Sequence, residues 1–146
     1  MTSSSGPTPL VCDMSTARDT PQERMAEYGR LFDQALAGRE RTRGAVIWRF
    51  TARPGVEAWV RDLADREAAC CLFLTYTITV TGGQVTYRIS GDDDPMLQTV
   101  LDEINRVPEH AADGFPGLLE RLDQAGFEVG TTTDGAVTTV SLRSSR

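Results

Sequence analysis

The segment Arg66-Glu67-Ala68-Ala69-Cys70-Cys71-Leu72-Phe73 concentrates the reactive side chains of this 146-residue chain. Glu67 stands three and four residues before the two cysteines, the spacing that shares one helix face. A carboxylate on an apolar stripe is costly to bury unless it is partnered or protonated. Such a group can pass a proton, hydrogen-bond a ligand or satisfy backbone amides. Cys70 and Cys71, with Cys12, make up all the thiols. Three thiolates can clasp a soft ion such as arsenite or mercury, provided that Cys12 folds back onto the pair. The competing account is packing: free Cys is among the most buried residue types, and the C-terminal end of a helix disfavours a thiolate. An odd number of cysteines with two adjacent is a poor disulfide framework, so free thiols and a reducing, cytoplasmic setting are expected.

Other chemistries are excluded or weak. All 15 basic residues are Arg, so no lysine is present to form a Schiff base. His110 is the one histidine, which rules out a multi-histidine zinc site, and three cysteines are too few for an all-cysteine one. His110 lies in a polar stretch and reads as a solvated side chain. Asp92-Asp93-Asp94 lacks the alternation and distal Glu of a calcium loop, so a helix cap is the better account. No phosphate loop, dinucleotide fingerprint or nucleophile elbow is present, and no cofactor is expected. A net charge of −6 opposes nucleic-acid binding. No apolar run reaches the ~20 residues of a membrane span, and Met1–Pro9 does not read as a secretory leader.

These side chains need elements to place them. Residues 1–17 lack periodicity and read as a flexible arm ahead of one domain, residues 18–146. Thr20, Pro21 and Glu23 announce a helix through a capping box. Met25, Tyr28, Leu31, Phe32 and Ala35 form its stripe, with Gly38 as the stop. Residues 45–52 alternate as a strand with Val46, Trp48 and Phe50 on one face. A second helix carries Val56, Trp59, Val60 and Leu63 on a stripe that extends to Glu67 and then to Cys70 and Cys71. Residues 72–81 and 84–90 pair as a hairpin about Gly82-Gly83, joining Val80 to Val85, Ile78 to Tyr87 and Tyr76 to Ile89. Asp94 caps a third helix, residues 105–114 read as a loop, and a short helix covers residues 116–125. A last hairpin pairs Val129 with Val140 and Phe127 with Leu142. The sum is an α+β fold: a mostly antiparallel sheet of about five strands, helices on one face, related to the ferredoxin-like pattern.

Cys12-Asp13-Met14, the helix over 23–36, and Val56–Leu63 running into Arg66-Glu67-x-x-Cys70-Cys71-x-Phe73 resemble an uncharacterised family of small actinobacterial proteins. A similar segment forms the C-terminal part of some regulators of the mercury-resistance-regulator type. The likeness spans roughly residues 10–107. It implies a bacterial origin, this fold and ligand sensing, and supplies no substrate. Two functions are therefore expected. One is a small-molecule or soft-metal binding module, with Trp48, Trp59, Tyr76 and Cys71 around a ligand and Cys12, Cys70 and Cys71 around a metal. The other is a cofactor-independent cyclase or isomerase of secondary metabolism that uses Glu67 as its acid or base. A homodimer paired through the hairpin edge at residues 130–141 is also expected.

Overall fold

The computed structural model describes residues 9–143. The chain is α+β with two antiparallel sheets rather than one. Four strands lie in the order β2-β3-β5-β4 and three in the order β1-β7-β6. The strands are β1 Leu10–Asp13, β2 Leu36–Thr42, β3 Ala45–Thr51, β4 Thr75–Thr81, β5 Gln84–Ser90, β6 Phe127–Thr131 and β7 Val137–Leu142. The helices are α1 Pro21–Ala35, α2 Val56–Cys70, α3 Pro95–Asn105, the single turn α4 Val107–His110 and α5 Gly114–Gln124. No helix among the described residues is long and apolar enough to cross a membrane.

Local chemistry explains most boundaries. Thr20 Oγ1 accepts from the Glu23 amide at 3.1 Å, and Glu23 Oε1 accepts from the Thr20 amide at 2.9 Å, closing the capping box that starts α1. Asp94 Oδ1 accepts from the Met96 amide at 2.8 Å and starts α3. Val46, Trp48 and Phe50 are all buried beneath the helices. The β4–β5 hairpin has the expected register, with Val80 opposite Val85 and Tyr76 opposite Ile89. The β6–β7 register is likewise as expected.

Four expectations need correction. The arm contains β1, which pairs with β7. Its four residues are too few to show an alternation, and the partner lies far along the chain. Gly38 does not stop α1: the helix ends at Ala35 and the chain turns directly into β2. That strand, Leu-Ala-Gly-Arg-Glu-Arg-Thr, is a charged edge with a bulge between Leu36 and Gly38, so it shows no hydrophobic period. Residues 105–114 hold α4 and a 3-10 turn, Ala111–Asp113, instead of a loop. Finally, β7 lies between β1 and β6, so the free edge of the last hairpin belongs to β6 alone.

Two apolar clusters result. The larger joins α1 and α2 to the four-stranded sheet through Tyr28, Phe32, Trp48, Phe50, Leu63 and Tyr87. The smaller joins α3 and α5 to the three-stranded sheet through Met96, Val100, Leu122, Phe127 and Val140.

Candidate functional site

A cavity of about 170 Å³ opens where the two clusters meet. Trp48, Ile89 and Tyr76 reach it from the larger sheet, Met25 and Tyr28 from α1, and Val100, Leu118 and Val140 from the smaller cluster. The wall is almost wholly apolar, the property of a site that selects by shape and hydrophobicity. For scale, an apolar cavity of roughly 150 Å³ holds a benzene ring.

Polar groups gather where α1 meets the end of α2. Arg24, only 4 % exposed as a side chain, donates from Nη1 to Glu67 Oε1 at 2.8 Å and from Nη2 to Asp19 Oδ1 at 2.7 Å. Its Nη1 also lies 3.2 Å from Cys70 Sγ. Burial works against the guanidinium charge, but the hydrogen bonds to Asp19 and Glu67 outweigh it, and the Arg24 pKa rises. Arg66 extends the network to Asp19, Glu27 and Asp62. The Glu67 side chain is 20 % exposed. Burial pushes its carboxyl above the ordinary value while Arg24 pulls the other way. Oε1 is occupied by Arg24; Oε2 makes no hydrogen bond among the described residues, and Glu67 borders the cavity. Burial also raises the Cys70 thiol and the phenols of Tyr28, Tyr76 and Tyr87, so all four are neutral at pH 7. The Tyr28 and Tyr87 hydroxyls pair at 2.9 Å.

The structure brings together Trp48, Glu67, Cys71, Tyr76 and Cys12 on the cavity wall. It leaves out Trp59, whose indole Nε1 donates to Glu27 Oε2 at 2.8 Å on the far side of α1. Cys70 is also left out, buried against Arg24 and the last turn of α2. The expectation of free thiols fails: Cys12 and Cys71 form a disulfide, with Cα atoms 4.5 Å apart. They also make an isolated antiparallel bridge, so backbone pairing delivers Cys12 to its partner. Cys70 is the last residue of α2 and packs inward, whereas Cys71, its C-cap, has left the helical backbone and pairs with Cys12. No group of three His, Cys, Asp or Glu side chains placed to hold a metal ion occurs among the described residues.

Sequence reasoning missed Arg24 and Glu103. Arg24 is one turn before Tyr28 and two before Leu31, so the stripe of α1 already contained it. Glu103 is one turn after Val100 on the stripe of α3, and it is more deeply buried than Glu67, at 4 %. Glu67 is therefore not the single acid on a buried stripe. Glu103 answers to Arg106 at 2.7 Å and Arg121 at 3.7 Å, and it borders the opposite end of the cavity. His110 is part-exposed beside Asp113. Arg49 pairs with Glu40 across the open sheet face, and Arg88 is exposed there.

Comparison with protein-family models, curated proteins and solved structures finds no match to this chain.

Proposed function

We propose that the chain is a small-molecule binding module whose ligand occupies the cavity between the two apolar clusters. The carrying observation is the cavity itself: about 170 Å³, lined by apolar side chains from both sheets, with charge on its wall at Arg24, Glu67 and Glu103. A well-packed interior leaves few voids larger than a water, so a void of this size is open to an occupant. Its chemistry defines the ligand as a compact apolar body bearing one hydrogen-bond donor for Glu67 Oε2. The acid–base enzyme is less well supported. Burial raises the Glu67 carboxyl, which favours an acid, but Oε1 is committed to the Arg24 guanidinium at 2.8 Å, an ion pair that a structural role explains equally well.

Isothermal titration with small monocyclic phenols and anilines tests the proposal. Saturable binding that is lost in Leu118→Trp, which fills the cavity, and weakened in Glu67→Gln, supports it. Binding unchanged by Leu118→Trp contradicts it.

A second reading rests on the meeting of Cys12 with Cys71. In a reducing cytoplasm these are two thiols on the cavity wall, a soft two-sulfur site for mercury or arsenite. Under reducing conditions Cys12→Ser and Cys71→Ser should each weaken metal binding, while Cys70→Ser should leave it nearly unchanged; equal loss in all three removes this two-thiol site. The β3-α2-β4-β5 unit supports the ferredoxin-like relation. In it β3 and β4, joined by α2, flank β5 and are both antiparallel to it.

A further inference from the structure

We propose that β4 is a dimerisation edge, where a second copy of this chain adds its own β4 antiparallel about a two-fold axis at Ile78. An unpaired edge is a template for another strand, and proteins blunt edges with charge, bulges or shortness. Among the described residues, three of the four edges are blunted. β2 carries Arg39, Glu40 and Arg41 and a bulge. β1 is four residues long and ends in Asp13. β6 is short and is interrupted by Glu128 and Gly130. β4 is Thr-Tyr-Thr-Ile-Thr-Val-Thr: seven residues with no charge, no Pro, no Gly and no bulge.

The two-residue Gly82-Gly83 turn closes on the Thr81–Gln84 pair, which a tight hairpin makes the hydrogen-bonded one. Bonding then alternates along the ladder. Thr81, Thr79, Thr77 and Thr75 bond to β5, and Val80, Ile78 and Tyr76 turn their amides and carbonyls outward. A two-fold axis at Ile78 sets Ile78 against itself and Tyr76 against Val80. Each is a hydrogen-bonded pair, giving about six new bonds across the axis. The same pairing continues the apolar face. Val80 is 38 % exposed, and Leu72, just ahead of the strand, is 79 % exposed; both would gain cover.

A groove of about 250 Å³ runs between β4 and α2, lined by Tyr76 and Ile78 on one side and Arg61, Ala64, Asp65 and Ala68 on the other. The two-fold sets α2 antiparallel to its copy along this groove. Arg61, paired in the single chain with its own Glu57 at 2.9 Å, then also comes to Asp65 of the other chain, while Ala64 and Ala68 permit close approach. The surface is self-complementary in backbone, shape and charge, as an isologous interface must be.

Light scattering and sedimentation equilibrium on the full chain test this. The unaltered chain should be a dimer. Val80→Lys should yield a monomer whose near-ultraviolet circular dichroism is unchanged. Arg61→Glu, at an exposed helix position that tolerates substitution, should weaken the dimer at least about tenfold through like-charge contact with Asp65. Arg61→Glu combined with Asp65→Arg should restore it, an outcome that loss of folding cannot produce. A monomeric unaltered chain, or a dimer indifferent to both Val80→Lys and Arg61→Glu, overturns the proposal.

Discussion

The half of the interior on the four-stranded sheet buries Trp48, Phe50, Tyr87 and Leu63 beneath α1 and α2. The half on the three-stranded sheet buries one ring, Phe127, with four smaller buried side chains around it. The first half has enough apolar area to hold itself together. Its rings pack edge to face, with Phe32 and Trp48 centroids 5.0 Å apart and Trp48 and Tyr87 5.8 Å apart. The second half borrows support. The Cys12–Cys71 disulfide ties β1 to the end of α2 across 59 residues of chain, and Arg143 donates to the Phe127 carbonyl at 2.8 Å. A void is most easily kept where a rigid body meets a lighter one, and that is where the cavity lies.

The largest expected effect comes from breaking the heavier half. Phe50→Ala should cost about 4 kcal/mol, the usual result of emptying a buried ring site. Urea unfolding should show both halves melting together at a lower midpoint. Breaking the tie between the halves should cost about 3 kcal/mol, as loss of a long-loop disulfide does. In Cys12→Ser combined with Cys71→Ser, hydrogen exchange should quicken in β1, β6 and β7 while the β3 and β5 amides stay protected. Uniform acceleration would show that the lighter half is not separately held.

The charged rim gives smaller effects. Arg24→Gln should cost about 2 kcal/mol, less than the several kcal/mol of a fully buried broken pair, because Glu67 and Asp19 keep some solvent contact. Denaturant midpoints measure this directly. The smallest effect is in pH. The hydrogen bond from Arg24 lowers the Asp19 pKa, and that from Arg66 lowers the Glu27 pKa. Groups depressed in the folded state stabilise it above their unfolded values, near 4, and lose that contribution as pH falls through the folded values. Glu67, raised by burial, works in the opposite sense: its contribution is full below the unfolded value and is lost as pH rises through the folded one. Melting temperature should therefore fall below about pH 4, where Asp19 and Glu27 dominate. The fall should be shallower in Asp19→Asn, and an equally steep fall there would remove Asp19 from the account.

The heavier half was readable in the sequence and the lighter half only in part. Val46, Trp48 and Phe50 announce β3 by alternation, Gly82-Gly83 fixes the hairpin register, and Thr20 with Glu23 marks the start of α1. These signals are local. The pairing of β1 with β7 is not: Leu10 meets Val140 across nearly the whole chain, and no period within four residues records it. The division into two sheets followed the same limit, since strand order depends on contacts between distant segments. At the site, helical spacing pointed to Glu67 and the cysteines and strand alternation to Tyr76, and Glu67, Cys71 and Tyr76 all line the cavity. Trp59 lies on the same stripe and packs on the larger cluster, but its indole is held by Glu27 and it does not line the cavity. Arg24 and Glu103 were passed over although each sits one turn from residues already on a stripe. The disulfide escaped because it depends on where β1 lies.

The central claim is that the seam between the two clusters takes up a compact apolar molecule. Titrating the isotope-labelled chain with benzene and following methyl resonances tests it most directly. The account predicts saturable shifts at Val100, Leu118, Leu122 and Val140, with Val46 and Val85 in the packed core unmoved. Shifts absent up to the solubility limit, or as large at Val46 and Val85 as at the methyls lining the cavity, would contradict it.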